Sequence, residues 1–182
     1  MNKHFKKILI GAILVGSIFS LTGCGGDKFE GEWVTSYIDN INEDNTYISY
    51  LKISPPYKEI KIEKDGSKYL ITETEKLYTG VIKYDYQPEE KYYIKENVIQ
   101  KTGTNQKETI TINGEFGTQF YTYIEKNKIL QDAKGNTYRK KEKNDFEKYK
   151  ENLQKIIDIE NVKLSKKTTR YPFSAGKLTL AD

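Results

Sequence analysis

Over much of the chain, apolar and polar residues alternate one by one, the pattern of strands with a single buried face. In Ile60-Lys61-Ile62-Glu63 and in Thr109-Ile110-Thr111-Ile112, the isoleucines fall on the same side. Such runs, rich in isoleucine, threonine and tyrosine, predict strands at 32–38, 46–53, 58–64, 68–74, 77–86, 91–96, 98–102, 107–112, 115–125, 128–131 and 137–140, with one more at 177–180. In the ninth of these, Phe116, Phe120 and Ile124 share a face with Thr118 and Thr122. Gln119, Tyr121, Tyr123 and Glu125 take the other. Asp65-Gly66, Asn113-Gly114 and Gly135-Asn136 supply residues that tolerate positive φ, so they mark hairpin turns; Asn97 and Asn127 are weaker signals of the same kind. Pro55-Pro56 separates the second strand from the third. Most neighbouring strands are therefore hairpin partners. The fold class is mainly β, an antiparallel meander closed into a barrel or half-barrel that hides its edges.

After residue 142 the period changes from two to that of a helix. Phe146, Tyr149, Leu153, Ile156 and Ile157 form one stripe. Asn144 followed by Glu147 reads as a capping box, Asp145 suits the positive start, and Glu151 to Lys155 is a favourable pair. A C-terminal amphipathic helix is expected over 145–158, with its stripe on the barrel.

The start of the chain follows a third pattern. Lys3, Lys6 and Lys7 precede an apolar run from Ile8 to Leu21, too short for a membrane span but suited to a cleaved signal. The run closes on Leu21-Thr22-Gly23-Cys24, which resembles the lipobox of bacterial lipoproteins. That resemblance implies cleavage between Gly23 and Cys24 and a diacylglyceryl group on the Cys24 thiol. The chain then divides into a signal peptide (1–23), a lipidated tether (24–28), a β-barrel domain (29–141), a helix packed on it (142–160) and an extended tail (161–182). The implied partner is a lipid bilayer, and each buried acyl methylene contributes about 0.8 kcal/mol to attachment. Gly25, where an aspartate would retain the protein in the inner membrane, implies the outer membrane if the cell is Gram-negative.

Loss of the signal changes the composition. Lys3, Lys6 and Lys7 leave with it, so the net charge of +4 falls to +1, which gives no case for nucleic acid. The one histidine, His4, leaves too, and the one cysteine, Cys24, is acylated. The processed chain then has no Ser-His-Asp or Cys-His pair, no Cys/His zinc site and no disulfide. Asn40, Asn42 and Asp44 open a calcium-loop spacing, but the glycine is missing and the twelfth position is Leu51. No catalytic residue, metal ligand or cofactor is assigned.

Phe29, Gly31 and Trp33 form a G-x-W start that is similar to that of lipocalins and related calycins. The resemblance implies an arginine of the last strand, here Arg139, packed across Trp33 as a clamp on the closed barrel, and a helix after it. Tyr84, Tyr86, Tyr92 and Tyr93 crowd around residues 87–90 and make a candidate binding rim, since tyrosine offers a rigid apolar face with a polar tip. The expected function is a non-enzymatic binding or interaction module of the cell envelope, contacting an envelope or host protein. A lipocalin-like carrier of a small apolar ligand and a carboxylate-based hydrolase are the alternatives.

Overall fold

A computed structural model describes residues 27–48, 52–80, 89–114, 117–166 and 177–181. In chain order the elements are β1 (Gly31–Thr35), a 3-10 helix (Ser36–Asn40), β2 (Tyr47–Ile48), β3 (Ile53–Ser54), β4 (Tyr57–Asp65), β5 (Lys68–Gly80), β6 (Glu89–Gln106), β7 (Thr109–Gly114), β8 (Gly117–Ile124), β9 (Ile129–Asp132), β10 (Thr137–Lys140), α1 (Asp145–Lys166) and β11 (Lys177–Leu180). β1 pairs with β4, each strand from β4 to β10 pairs antiparallel with the next, and β10 returns to β1. The result is a closed eight-stranded antiparallel barrel. The β1–β4 crossover carries the 3-10 helix and the small β2–β3 pair. β11 adds outside the ring, parallel to β6.

Alternation places two cores on the two faces of one wall. Trp33, Ile60, Ile62, Tyr69, Ile71, Ile110, Ile112 and Leu130 point into the lumen and are buried. Residues an odd number of positions away on the same strands, Val34 and Tyr57 among them, point outward. With Tyr78 and Tyr92 they form a second core beneath Tyr149, Leu153 and Ile157 of α1 and Leu178 of β11. On β8 the lumen side belongs to Tyr121, 6% exposed, while Phe120 faces out at 40%. Phe116 lies outside the described residues.

Several predicted boundaries move. The segments at 68–74 and 77–86 join in β5, and residues 81–86 lie outside the described residues. Those at 91–96 and 98–102 join in β6, where Asn97 sits mid-strand opposite Glu75. Unbroken pairing with β5 leaves Asn97 no freedom to turn. Gly103 belongs to the strand as well: a Cβ there would stand 2.5 Å from Cγ2 of Ile110, so this glycine serves close packing in the lumen. The β6–β7 turn instead sits at Lys107, φ 60°. The helix runs beyond 158 to Lys166, so 161–166 belongs to it and not to a tail. Asn161 explains the extension, because its amide accepts from Leu178 N (2.8 Å) and donates to Leu178 O (3.0 Å), tying α1 to β11. At the other end Glu147 pairs with Lys150, and it is Asp145 that takes a backbone N–H, that of Glu142 at 2.6 Å.

Candidate functional site: a polar cup in the barrel mouth

The lumen has two unlike ends. At the end holding the β4–β5, β6–β7 and β8–β9 turns, the first described residues form a plug. Phe29 is buried, and its carbonyl accepts the Trp33 indole N–H at 2.8 Å. Asp27 accepts from Phe29 N at 3.0 Å and from the Tyr69 hydroxyl, and it pairs with Lys64 at 3.2 Å. Lys28 pairs with Glu108 and lies over the rings of Phe29 and Tyr123.

At the opposite end the lumen opens as a cup of about 630 Å³. β4, β5 and β9 reach it by the same route. Along β5 the inward face reads Tyr69, Ile71, Glu73, Glu75, apolar below and acidic above. On β4, Lys58 stands above Ile60, and on β9 Asp132 stands above Leu130. Glu73 accepts from the Tyr121 hydroxyl and from Lys101, each at 2.7 Å, and Lys101 also donates to Gln119 at 2.7 Å. Lys58 and Glu75 pair at 2.9 Å. Asp132 accepts from the backbone N–H groups of Lys134 and Asn136, from the Asn136 amide and from the Tyr138 hydroxyl.

These environments set the protonation states. Burial first, and then Glu73 beside it, pushes the Tyr121 phenol far above its ordinary range; burial and Asp132 do the same to Tyr138. Both hydroxyls therefore keep their protons and act as donors. Burial works to raise the Asp132 carboxyl, but its hydrogen bonds from Asn136, Lys134 and Tyr138 outweigh it, and the carboxyl ends below the usual value. The cup thus presents fixed donors, fixed acceptors and ammonium groups above an apolar floor at Ile60, with Val98, Ile99 and Phe120 on its β6 and β8 side.

The structure distributes the sequence-predicted residues differently. Register sets Lys140, not Arg139, opposite Trp33, and the Lys140 ammonium lies 3.7 Å from the indole centroid. Arg139, one position earlier, points outward. All five of its N–H groups are used: Nε and Nη2 on Asp39 (2.6 and 2.7 Å), Nη1 and Nη2 on Asp145 (2.9 and 2.8 Å), and Nη1 also on Lys140 O (3.0 Å). Arg139 therefore clasps the crossover and α1 to the outer wall. Tyr92 is not on a rim, because its ring is 1% exposed in the outer core. Tyr93 is 42% exposed. Tyr84, Tyr86, Gly23 and Cys24 lie outside the described residues.

Lys140 also makes Trp33 a reporter. Desolvation lowers the lysine from 10.5 to about 8. Trp33 is the sole tryptophan, so its emission is expected to titrate with a midpoint near pH 8 and to lose that step in Lys140→Met. A midpoint above pH 10 in the unaltered chain would mean that attraction to the indole face outweighs desolvation.

Comparison with family profiles, with curated proteins and with solved structures finds no match to this chain.

Proposed function

We propose that the protein is a lipid-tethered binding module of the bacterial envelope whose lipocalin-like barrel takes a small polar ligand in its open mouth. One observation carries the reading: the cup of about 630 Å³ is lined chiefly by charged, amide and tyrosine side chains, with Ile60, Val98, Ile99 and Phe120 as its apolar part. A ligand rich in hydroxyl or amino groups can exchange its water for these partners; a fatty chain would leave most of them without one. The apolar part of the lumen below the cup is filled by Phe29, Trp33, Tyr69 and Ile71, which confines the apolar surface open to a ligand to Ile60, Val98, Ile99 and Phe120 of the cup. Anchor and cup also fit one arrangement. Asp27, the first described residue, lies at the plugged end, so an acyl chain on Cys24 three residues earlier would set that end near the bilayer and turn the cup away from it.

Two measurements test this. Cys24→Ala is expected to abolish lipid labelling and release the protein from the membrane fraction, and unchanged attachment would remove the lipoprotein reading. For the cup, monosaccharides, amino acids and decanoate are titrated into isotopically labelled protein. Polar solutes are expected to shift the Gln119, Tyr121 and Asp132 signals and to spare Phe29. Shifts from decanoate alone would favour the apolar carrier, and silence from the whole panel would remove the cup reading.

A further inference from the structure

The barrel wall is split beside the cup. β6 pairs with β5 along most of its length, but on its other side it pairs with β11 only over Glu89–Tyr92 and with β7 only over Thr104–Gln106. From Tyr93 to Gly103, nothing among the described residues pairs with that edge. β7 continues to Gly114 with β8 alone, so the two strands part above Gly103. Lys101 crosses the split to reach Gln119 on β8.

We infer that this edge of β6 is a docking site for an extended peptide segment of a partner protein, which adds as a strand between Tyr93 and Gly103. Three observations carry it. An open strand edge offers unpaired N–H and C=O groups, and folded proteins normally shorten, charge or cover such edges. This edge is long, and it bears exposed apolar side chains: Tyr93 at 42%, Val98 at 55% and Ile99 at 52%, with Phe120 at 40% on β8 across the split. The same edge already takes a strand. β11 lies along it in parallel, and its last backbone bond, Ala181 N to Tyr92 O at 2.8 Å, ends where the open stretch begins. A partner strand continues that interface without new geometry.

The split also selects the occupant. Its far side is β7–β8, so a lone strand can enter, whereas the β6 of a second copy comes with its own barrel wall attached. Pairing fixes the side-chain pattern, since successive residues of the entering strand point alternately to the cup and to solvent. Apolar residues at every second position would lie beside Val98 and Phe120, with polar ones toward the cup. The inference rests on the β6 backbone and does not require the cup to hold a small ligand.

The test uses the full chain in detergent micelles. The probe is a pool of ten-residue peptides that alternate valine or isoleucine with threonine; a twin pool carries two prolines in each member. Amide hydrogen exchange is read along β6. The first pool is expected to slow exchange between Tyr93 and Gly103 at least tenfold, with the proline pool inert. Val98→Lys together with Ile99→Lys should abolish the protection while leaving the melting temperature unchanged, because both side chains are more than half exposed. Protection that survives the double substitution, equal action by the proline pool, or no protection at all would overturn the inference. So would protection that appears without peptide as concentration rises, since a second copy would then own the edge.

Discussion

Arg139→Met is expected to destabilise the fold by about 3–5 kcal/mol at pH 7, the usual cost of leaving a buried charge without its partner. The melting temperature should fall on the order of 10 °C. Asp145 is 0% exposed and would keep only the Glu142 N–H. Asp39 would lose its hold on the barrel, so the crossover and the start of α1 would separate from β10 together. Arg139→Lys should recover little, because an ammonium cannot match two carboxylates with paired parallel bonds. The control is the double variant Arg139→Met with Asp145→Leu. Removing both leaves no buried charge unpaired, since the Asp39 side chain is 42% exposed, and this protein should be more stable than the single variant. Urea unfolding of the three proteins measures the difference; equal losses in single and double variants would mean that lost packing, not an orphaned charge, causes the effect.

The same cluster fixes the response to acid. Burial alone would raise the Asp145 carboxyl, but hydrogen bonds from Arg139 and the Glu142 N–H, with the Arg139 charge, pull it below its ordinary 3.8. A carboxyl lowered on folding adds stability that is complete above its unfolded pKa and is lost as pH falls through the folded one. Asp39, held down first by its bonds from Arg139, acts in the same direction. In Arg139→Met the lowering partner is gone while burial remains, so protonating Asp145 relieves the variant. The stability gap between the two proteins should therefore be widest near neutral pH and narrow as pH falls into the carboxylate range.

How far the sequence could be read follows from what each signal encodes. Alternation encodes faces, so Ile60, Ile62, Ile110 and Ile112 sit in the lumen as expected, and the stripe of Tyr149, Leu153 and Ile157 lies on the wall. The closing pair of strands is a matter of register, which alternation does not encode. A shift of one residue decides whether Arg139 or Lys140 faces Trp33, and the two differ completely in role. Tyrosine is ambiguous for a related reason. Tyr92 and Tyr93 are adjacent, and only pairing with β5 and β11 decides that Tyr92 is buried beneath α1. The cup left a mark that could have been read: Tyr69-x-Ile71-x-Glu73-x-Glu75 is a single face that turns from apolar to acidic partway along a strand. A wall facing solvent throughout would be polar from its start, and one buried throughout would stay apolar. The split beside β6 left no such mark, because an unpaired edge is a relation between strands distant in sequence.

Trp33→Ala tests the plug from the inside. The indole is 0% exposed, stands edge-on to Tyr123 at 6.2 Å, carries the Lys140 ammonium on its face and donates to the Phe29 carbonyl. Truncating a buried tryptophan costs about 3–5 kcal/mol through lost burial and the cavity left behind. Trp33→Phe keeps a ring but not the N–H, so the Phe29 carbonyl loses its donor, at about 1–3 kcal/mol. The location of the damage matters more than its size. Phe29 and Trp33 close the plugged end of the lumen, while Tyr121 and Tyr138 stand in the mouth. Amide exchange in Trp33→Phe should quicken at residues 27–31 and at the Lys28–Glu108 contact, with exchange around Asp132 unchanged. If both ends loosened together, the lumen would be one cooperative core and the cup could not be tuned apart from its base. Loosening confined to the plug would mean that this barrel keeps its two ends energetically separate, so that strain at the plug does not reach the mouth.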